Sequence, residues 1–461
     1  MSLAGAFILP HPPLIMPAIG KGQERAIQST IDSFRTVAEC VERLAPDTIV
    51  VATPHGMMYQ DYFHISPGQR ASGDFRGFGA RNVGLSVEYD PLFVAALSEN
   101  AESEGIAAGP LGEKDPSLDH GTLIPLIFIN ERYRSYRLVR IGVSGLSFAE
   151  HYMLGRCISR TADDLGRRLV LIGSGDLSHK LKRDGPYGLS AEGPEFDRRI
   201  TAAMASGDFL EFLSFDPAFL AGAAECGLRS FIMLAGALDS IAVDAKLLSY
   251  EAPFGVGYAA ASFIPAGLDP SRRYLDAHKE SERIRMREIK ENEDEYVRLA
   301  RYAIETWIKM KKRPKAPQIM PKEMLDRRAG VFVSLKKQGA LRGCIGTIEP
   351  VTGSISEEIM RNALDAALRD PRFDPVKEAE LDQLVYSVDV LSPPEPAASK
   401  DSLDAGRYGV IVTSGAKRGL LLPKLDGVDS VEQQISIALQ KAGISPDESY
   451  GLQRFEVVRH V

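Results

Sequence analysis

The chain has 461 residues, of which 44% are hydrophobic and 25% are charged, and its formal net charge is −7. This length exceeds that of one ordinary domain, so two or three domains are expected. The acidic balance argues against a dedicated nucleic-acid-binding protein, which would usually carry a basic domain. No apolar run approaches the roughly 20 residues that span a bilayer. The N-terminal residues also lack a signal-peptide pattern, so we expect a cytoplasmic protein without a membrane segment.

Residues 1–264 alternate short apolar runs with amphipathic stretches. The runs GAFILP, DTIVVA, YRLVRIGVS, RLVLIGSG, AKLLSYE and GYAAASFI are rich in Val, Ile, Leu and Phe and are typical of strands. The stretches GQERAIQSTIDSFRTVAECVERLA and SFAEHYMLGRCISRTADDLGRRL have the apolar spacing of helices. This alternation predicts an α/β domain with a mostly parallel central sheet. In such sheets, functional sites form beyond the carboxyl ends of the strands.

The second half of the chain has a different pattern. Residues 265–284 are polar and charge-dense, and we interpret them as a linker that runs into a helix. Residues 285–461 contain strand-like segments such as QLVYSVDVL and YGVIVTS, and helix-like segments such as SISEEIMRNALDAALRD and SVEQQISIALQKAG. This half therefore predicts a separate α+β domain.

Two of the apolar runs end in the same dipeptide, a proline followed by a histidine. His11 follows AFILP, and His55 follows DTIVVATP. Two strands that end side by side would bring both imidazoles to one place. His120 in LDHGTLIPL and His179 in GSGDLSHKL also lie in segments rich in the residues of tight turns. A single loop histidine is usually solvated or hydrogen-bonded, so spacing alone makes none of the four a ligand.

Glu225 and Cys226 are neighbours in AGAAECGLRSFIMLAGAL, just before an apolar helical run. A carboxylate is favoured at a helix N-terminus, so Glu225 is either a functional carboxylate or a simple helix-terminal charge. Cysteines such as Cys226 are more often small buried hydrophobes than ligands. The chain has four cysteines without a CxxC pair, which excludes a disulfide framework and a zinc-finger pattern. His151, at the start of a predicted helix, is expected to be partly exposed.

The segments LPHPPL, TPHG, DHGTLIPL, GSGDLSHKL and AECGLRSFIMLAGAL occur here in the order found in one known superfamily. On these segments the N-terminal half resembles the class III extradiol ring-cleaving dioxygenases of the LigB/Memo-like superfamily. The resemblance implies a mononuclear non-haem Fe(II) site with His11, His55 and Glu225 as metal ligands. It also implies that His179 is an acid–base histidine and that His120 contacts substrate or oxygen.

This implied ligand set fits oxygen chemistry. Two imidazoles and one carboxylate leave open positions on iron for a catechol-type substrate and for oxygen. Zn or another divalent metal would also accept these ligands. His179 would move a catechol proton, because an imidazole titrates near neutrality.

A second relative in the same superfamily gives an alternative. The Memo family keeps the fold and several of the histidines, but a cysteine takes a metal-facing position. Here Glu225 and Cys226 offer both kinds of group. A metal-facing Cys226 would favour copper or redox handling, or a simple binding role, whereas the presence of Glu225 favours the dioxygenase.

The segments LRGCIGT, ALRDPRF, VDVLSPPEP, YGVIV and RGLLLP follow one another in the C-terminal half. On these segments residues 285–461 resemble the AMMECR domain. Cys344 in LRGCIGT is either a nucleophile or a structural buried cysteine, and this half offers no obvious histidine base. Related genomes pair such a domain with a Memo-like or dioxygenase-like protein and a radical SAM protein. The resemblance therefore implies a radical SAM protein as a partner.

These resemblances lead to three functional hypotheses. The first is extradiol cleavage of a small catechol-type substrate by Fe(II) and oxygen. The second keeps the metal but assigns redox or modification chemistry with the radical SAM partner. The third is a non-enzymatic binding or scaffolding protein. The apolar helices leave homodimerisation open in every case.

Overall fold

The structure is a computed structural model that describes residues 2–113, 116–317, 319–337, 339–425, 427–428 and 430–461. The chain divides into two compact units, Met1–Ser281 and Glu282–Val461. The boundary falls inside the segment predicted as a linker, although residues 265–268 still belong to a strand and a helix begins at Tyr274. Within the described residues, no helix combines the length and the apolar character that crossing a bilayer requires.

The first unit contains ten described strands and nine described α-helices, followed by an α-helix that includes the boundary between the units. The strands are β1 (Leu3–Leu9), β2 (Thr48–Thr53), β3 (Phe63–His64), β4 (Arg70–Phe75), β5 (Ala80–Glu88), β6 (Ala108–Gly109), β7 (Arg137–Gly142), β8 (Leu169–Ser174), β9 (Ile241–Glu251) and β10 (Tyr258–Leu268). The helices are α1 (Pro17–Gly20), α2 (Gln28–Leu44), α3 (Pro91–Ser103), α4 (His120–Asn130), α5 (Phe148–Leu165), α6 (Glu192–Ser206), α7 (Leu210–Leu213), α8 (Pro217–Ala223), α9 (Leu228–Ala237) and α10 (Tyr274–Asn292).

The central sheet of the first unit has the strand order β7-β2-β8-β1-β10-β9. The strands β7, β2, β8 and β1 pair in parallel, whereas β10 and β9 add antiparallel pairs at one side. The prediction of a mostly parallel sheet is confirmed for the four strands that precede β9. The last two strands differ because a short connection joins them, and a short connection can join only antiparallel neighbours.

Helices cover both faces of this sheet. In β1, Ala6 and Ile8 belong to a hydrophobic cluster with residues of α5 and α9, whereas Phe7 and Leu9 belong to a second cluster with residues of α2 and α4. Every residue of β2 and of β8 is buried. This two-sided burial explains why the strands are continuous apolar runs instead of alternating ones.

The strand order places the carboxyl ends of three strands side by side. Because β8 lies between β1 and β2 and all three run parallel, their carboxyl ends lie side by side. The chain leaves β1 at Leu9, β2 at Thr53 and β8 at Ser174. A histidine follows two residues after Leu9 and again two residues after Thr53. The fold therefore places both Pro-His segments at one edge of the sheet, as in other α/β sites.

The second unit has an antiparallel sheet with helices beside it. Its strands are β11 (Val331–Lys337), β12 (Ala340–Gly346), β13 (Leu384–Leu391), β14 (Glu395–Pro396), β15 (Tyr408–Ser414), β16 (Lys417–Leu421) and β17 (Gly451–His460). Its helices are α11 (Glu295–Met310), α12 (Lys322–Asp326), α13 (Ile355–Leu368) and α14 (Val431–Ala442).

The sheet of this unit has the order β12-β11-β13-β17-β15-β16, and β14 pairs with β17. Each of these pairings is antiparallel. Helices α11 and α13 share a hydrophobic core with β11 and β13, and α14 shares a second core with β15. The predicted α+β architecture is therefore confirmed, with β12 as an edge strand.

Candidate metal centre

The four loop histidines come together at the carboxyl edge of the first sheet. The Nε2 atoms of His11 and His55 are 3.0 Å apart. The ring centroid of His120 lies 4.1 Å from that of His55 and 5.2 Å from that of His11. His179 is close enough for its charge to act on the imidazole of His11. Residues separated by more than 160 positions therefore share one site.

Cys226 supplies a third ligand atom. Its Sγ lies 3.6 Å from His11 Nε2. The ligand atoms of His11, His55 and Cys226 all lie within 4.8 Å of one another, and no other group of three such ligands was found in the described residues. Nitrogen and sulfur ligands bind zinc at about 2.0–2.3 Å, so atoms spaced in this way can share one metal ion.

The neighbouring Glu225 has different partners. Its Oε2 accepts a hydrogen bond of 2.7 Å from the backbone N–H of Leu228, the first residue of α9. Burial raises the pKa of Glu225 to about 7, although this N–H and the charge of Arg229 act against the shift. The carboxylate therefore serves the helix N-terminus. Glu225 as a metal ligand stays a prediction, while the spacing of the ligand atoms favours Cys226.

Ser174, the last residue of β8, determines which nitrogen of His11 carries the proton. Its hydroxyl donates to the carbonyl oxygen of Gly121 at 2.6 Å, and its Oγ lies 3.0 Å from His11 Nδ1. Because the one hydroxyl proton is used, Nδ1–H must donate to Ser174 Oγ. Burial, followed by the surrounding histidines, holds the pKa of His11 well below its ordinary value. The imidazole is thus neutral with a lone pair on Nε2, which is the form that binds metals.

The other site histidines are also biased towards the neutral form. Burial is the main cause in each case, and it lowers the pKa of His120 to about 4 and lowers those of His55 and His179. Burial, followed by the nearby carboxyls, raises the pKa of the Cys226 thiol. Coordination to a metal deprotonates a thiol, so a cation would reverse this preference. The donor set therefore fits a metal ion, which would stabilise the thiolate.

Asp119 ties the loops of two site histidines together. Its Oδ1 accepts a hydrogen bond of 2.7 Å from the hydroxyl of Thr53, whose Oγ1 in turn accepts from the backbone N–H of His55 at 3.2 Å. The same carboxylate caps α4, the helix that begins at His120. The buried guanidinium of Arg140 lies 3.7 Å from Asp119 Oδ2. These contacts hold the end of β2 against the start of α4.

Asp176 performs a similar role between His11 and Cys226. Its Oδ1 accepts from the backbone N–H of His11 at 2.7 Å, and its own N–H donates to Cys226 Sγ at 3.3 Å. Burial raises the pKa of this carboxyl to about 7. Three site residues, Asp119, Asp176 and Ser174, were not predicted from the sequence. Both aspartates stand in the same short segments as His120 and His179, which was the available signal.

Two exposed aromatic rings stand beside the histidines. Phe78 is 46% exposed and lies 5.3 Å from the ring of His120, at the tip of the β4–β5 hairpin. Tyr187 is 60% exposed and stacks on His179 at 5.2 Å. Each is followed by a glycine with positive φ, Gly79 at 80° and Gly188 at 75°. The two turns therefore present large flat side chains to solvent next to the site.

His151 does not join this cluster. It is fully buried, its Nε2 accepts from the backbone N–H of Ser144 at 3.3 Å, and its Nδ1 donates to the carbonyl oxygen of Ser147 at 2.8 Å. The expected partial exposure of His151 was wrong, because its face of α5 packs into the core, where the ring of Phe63 lies 4.6 Å away.

The comparisons with known proteins agree with this organisation. The family model described as catalytic LigB subunit of aromatic ring-opening dioxygenase matches residues 5–261, more than half of the chain. The chain belongs to the LigB family. A second model, AMMECR1, matches residues 297–460 of this LigB-family chain. The predicted succession of a LigB-like domain and an AMMECR domain is therefore confirmed.

Relatives of this LigB-family chain share one or both domains. Protein CA_C1420 of Clostridium acetobutylicum is 42% identical and covers 100% of this chain and 99% of its own length. A protein of Thermotoga maritima is 48% identical over 170 residues, which are 36% of this chain and 98% of that protein. The crystal structure of PH0010 from Pyrococcus horikoshii is 37% identical over 36% of this chain and 88% of its own, with a TM-score of 0.34.

Proposed function

We propose that the first unit is a metal-dependent oxidoreductase that holds one metal ion through His11, His55 and Cys226. The observation that carries the proposal is the mutual spacing of these three ligand atoms, within 4.8 Å. Fe(II) is the first metal to test, and Zn or copper would also accept two imidazoles and a thiolate. The bound metal would supply Lewis acidity and electron transfer.

The specific reaction we propose is extradiol cleavage of a small catechol-type substrate with oxygen as the oxidant. His179 would accept a proton from the substrate hydroxyl and later return one, since a neutral imidazole is a suitable base. His120, 4.1 Å from the ring of His55, would donate a hydrogen bond to substrate or oxygen. Phe78 and Tyr187 would pack against the substrate ring, because aromatic pairs are favourable at such separations.

The position of Cys226 supports a second candidate function. A soft thiolate ligand suits Cu(I), Zn and redox sites, whereas a carboxylate ligand is part of the usual iron site of oxygenases. In this candidate, the unit binds a metal for a redox or modification reaction and works with a radical SAM protein. It predicts stoichiometric metal without turnover of catechols.

The first experiment measures metal content by elemental analysis after anaerobic purification without chelator. We expect about one metal ion per chain, as a single three-ligand site requires. The double variant His11→Ala/His55→Ala should lose the ion. His278→Ala is the matched control, because this histidine lies in α10, and it should keep the ion. Wild-type protein without metal would contradict both candidate functions and leave a binding or scaffolding role.

The second experiment separates the two candidates. Oxygen uptake and the yellow ring-fission product are followed with the iron-loaded protein and a panel of catechols. Ring cleavage predicts turnover that is lost in His179→Ala, while the metal content of that variant stays unchanged. Bound metal without turnover across the panel would reject extradiol cleavage and favour the redox candidate.

A further inference from the structure

The two signature segments of the second unit, LRGCIGT and ALRDPRF, meet at Cys344. The backbone N–H of Cys344 donates to Asp370 Oδ2 at 2.8 Å, and its carbonyl oxygen accepts from Arg372 Nη2 at 3.1 Å. The hydroxyl of Ser334 donates to Cys344 Sγ at 3.2 Å. Segments that are 26 residues apart therefore form one cluster at the outer edge of β12.

Packing against the core accounts for only some of the residue types in the segment LRGCIGT. A Cβ at Gly343 would lie 2.3 Å from the carbonyl oxygen of Ala366 in α13, so only glycine fits there. Ile345 packs on the core that α13 shares. Because side chains alternate from Gly343 to Ile345, Cys344 lies on the face of β12 away from α13. Arg342 is the extra residue where the register shifts, since Gly343 pairs with Leu335 and Leu341 pairs with Lys336. The core therefore gives no reason for an arginine and a cysteine at these two positions.

Two guanidinium groups of the signature segments lie near one aromatic ring. Arg342 lies 5.9 Å and Arg372 lies 5.5 Å from the ring centre of Phe373, so one aromatic ring holds both cations. Arg342 forms a bidentate pair with Glu380, and Arg372 forms one with Asp370. Both arginines bind their carboxylates through Nε and Nη2, which leaves each Nη1 for another acceptor.

The charges and donors of this cluster do not balance. Lys337 also contacts Glu380, at 3.3 Å, so three cations face two carboxylates. Arg342 Nη1 is buried, and no acceptor for it exists among the described residues. A buried donor without an acceptor costs about 1–3 kcal/mol, so such groups usually mark a site for a further ligand or water. The side chain of Arg372 is 53% exposed and can reach a ligand from solvent.

We propose that Arg342, Arg372 and Cys344 form an oxyanion-binding site of the second unit, and that its ligand is a phosphate group. Arg372 makes the first contact, and Arg342 supplies the second donor with a small movement on the ring of Phe373. The thiol of Cys344 lies beside the bound anion. Guanidinium groups are the preferred partners of phosphate, since their planar donors match its oxygens.

The test uses the half-buried thiol of Cys344 as the reporter. The full-length protein is treated with iodoacetamide, and alkylation of each cysteine is followed by peptide mass spectrometry. A site with a Kd of about 1 mM is about nine-tenths occupied at about 10 mM inorganic phosphate, so alkylation of Cys344 should slow about tenfold. Cys40 in the first unit is the internal control and should react at an unchanged rate. Equal slowing at both cysteines, or none at Cys344, would overturn the proposal.

Two variants that each lose one positive charge test whether Arg372 binds the phosphate. Arg372→Gln should abolish the protection of Cys344 by phosphate. Arg369→Gln should retain it, because the side chain of Arg369 is 78% exposed and pairs only with Asp365 among the ion pairs described. Equal protection in wild type and in Arg372→Gln would show that Arg372 only caps the edge of β12. Sodium chloride at matched ionic strength controls for screening.

A measurement on the wild-type protein tests the site without depending on how the variants fold. Iodoacetate carries a negative charge and iodoacetamide does not, so an excess of positive charge speeds the first reagent relative to the second. The ratio of the two rates should be higher at Cys344 than at Cys40. An equal ratio would reject the site. Parallel arms with inorganic phosphate and with glycerol phosphate show whether the ligand is the free ion or a phosphomonoester.

Discussion

In the first unit, burial shifts the titratable groups of the site, whereas in the second unit ion pairs shift those around Cys344. His120 has its pKa lowered to about 4 and Asp176 has its pKa raised to about 7, and burial is the main cause for both. Glu380, by contrast, has its pKa lowered to about 2, mainly through its hydrogen bonds with Arg342. Burial favours neutral groups, and ion pairs favour charged ones.

This difference determines which kind of ligand each site can bind. Neutral imidazoles beside a half-buried thiol offer lone pairs, so the first site suits a cation that compensates for the lost solvation. Fixed guanidinium charges offer hydrogen-bond donors, so the second site suits an anion. The two sites therefore differ in ligand preference because one combines neutral imidazoles with a thiol and the other presents guanidinium groups.

The largest effect is expected from replacing Cys226, the proposed third metal ligand. Cys226→Ser should lower metal affinity at least about 100-fold, since loss of an outer-shell partner alone typically costs about 10–100-fold. Glu225→Gln should keep the affinity and change the free energy of unfolding by less than about 1 kcal/mol, because the amide oxygen can still accept from the backbone N–H of Leu228 at the start of α9. A chelator competition assay measures the first quantity and urea unfolding the second. The opposite pattern would assign the ligand role to Glu225.

A smaller effect is expected from the two exposed rings of the first site. Phe78→Ala and Tyr187→Ala should each weaken binding of a catechol about three- to tenfold, because aromatic pairs contribute about 0.5–1.5 kcal/mol. Titration calorimetry on the metal-loaded protein measures this change, and Tyr187→Phe should bind nearly as well as wild type. Leu92→Ala is the control, since Leu92 is 65% exposed but lies in α3. Equal weakening in that control would show that the two rings are not part of the binding surface.

The smallest effect concerns acid stability of the second unit. Glu380 has a folded pKa of about 2 against an ordinary value of 4.5, so its stabilising contribution is complete above pH 4.5 and disappears as the pH falls towards 2. Glu380→Gln should therefore unfold more easily than wild type near neutral pH, by about 1 kcal/mol, and the difference should shrink in acid.

Urea unfolding followed between neutral pH and pH 3 measures this difference. Glu349→Gln serves as the control, because Glu349 forms an exposed ion pair with Arg418 and should change stability by less than about 0.5 kcal/mol. A difference for Glu380→Gln that does not depend on pH would show that the pair with Arg342 does not hold this carboxylate in its charged form.

Local patterns in the sequence predicted much of this fold. The amphipathic stretch before β2 became α2, and the one after β7 became α5. Continuous apolar runs became the buried central strands, because helices cover both faces of the sheet. Such local patterns could not predict the order of the strands, since strand pairing depends on contacts between distant segments. The antiparallel β9–β10 pair is the clearest case.

The choice between Glu225 and Cys226 shows a limit of the sequence. The two residues are adjacent, so no periodicity separates them. Ala224 adopts a left-handed φ of 52°, and a Cβ at Gly227 would lie 2.9 Å from the Cα of Gly175. This close approach of two backbones sets the turn before α9. The turn directs the thiol towards His11 and leaves the carboxylate at the helix N-terminus.

The sequence by itself determined the two domain families, the segments that carry the site histidines and their position after apolar strands. Composition, periodicity and short motifs are local properties, and each is present before the chain folds. Only the tertiary structure decided that Cys226 lies beside His11 and His55, how Ser174 orients His11, and that LRGCIGT meets ALRDPRF. Those outcomes depend on distances between segments far apart in the chain, and packing of the sheets and helices sets these distances.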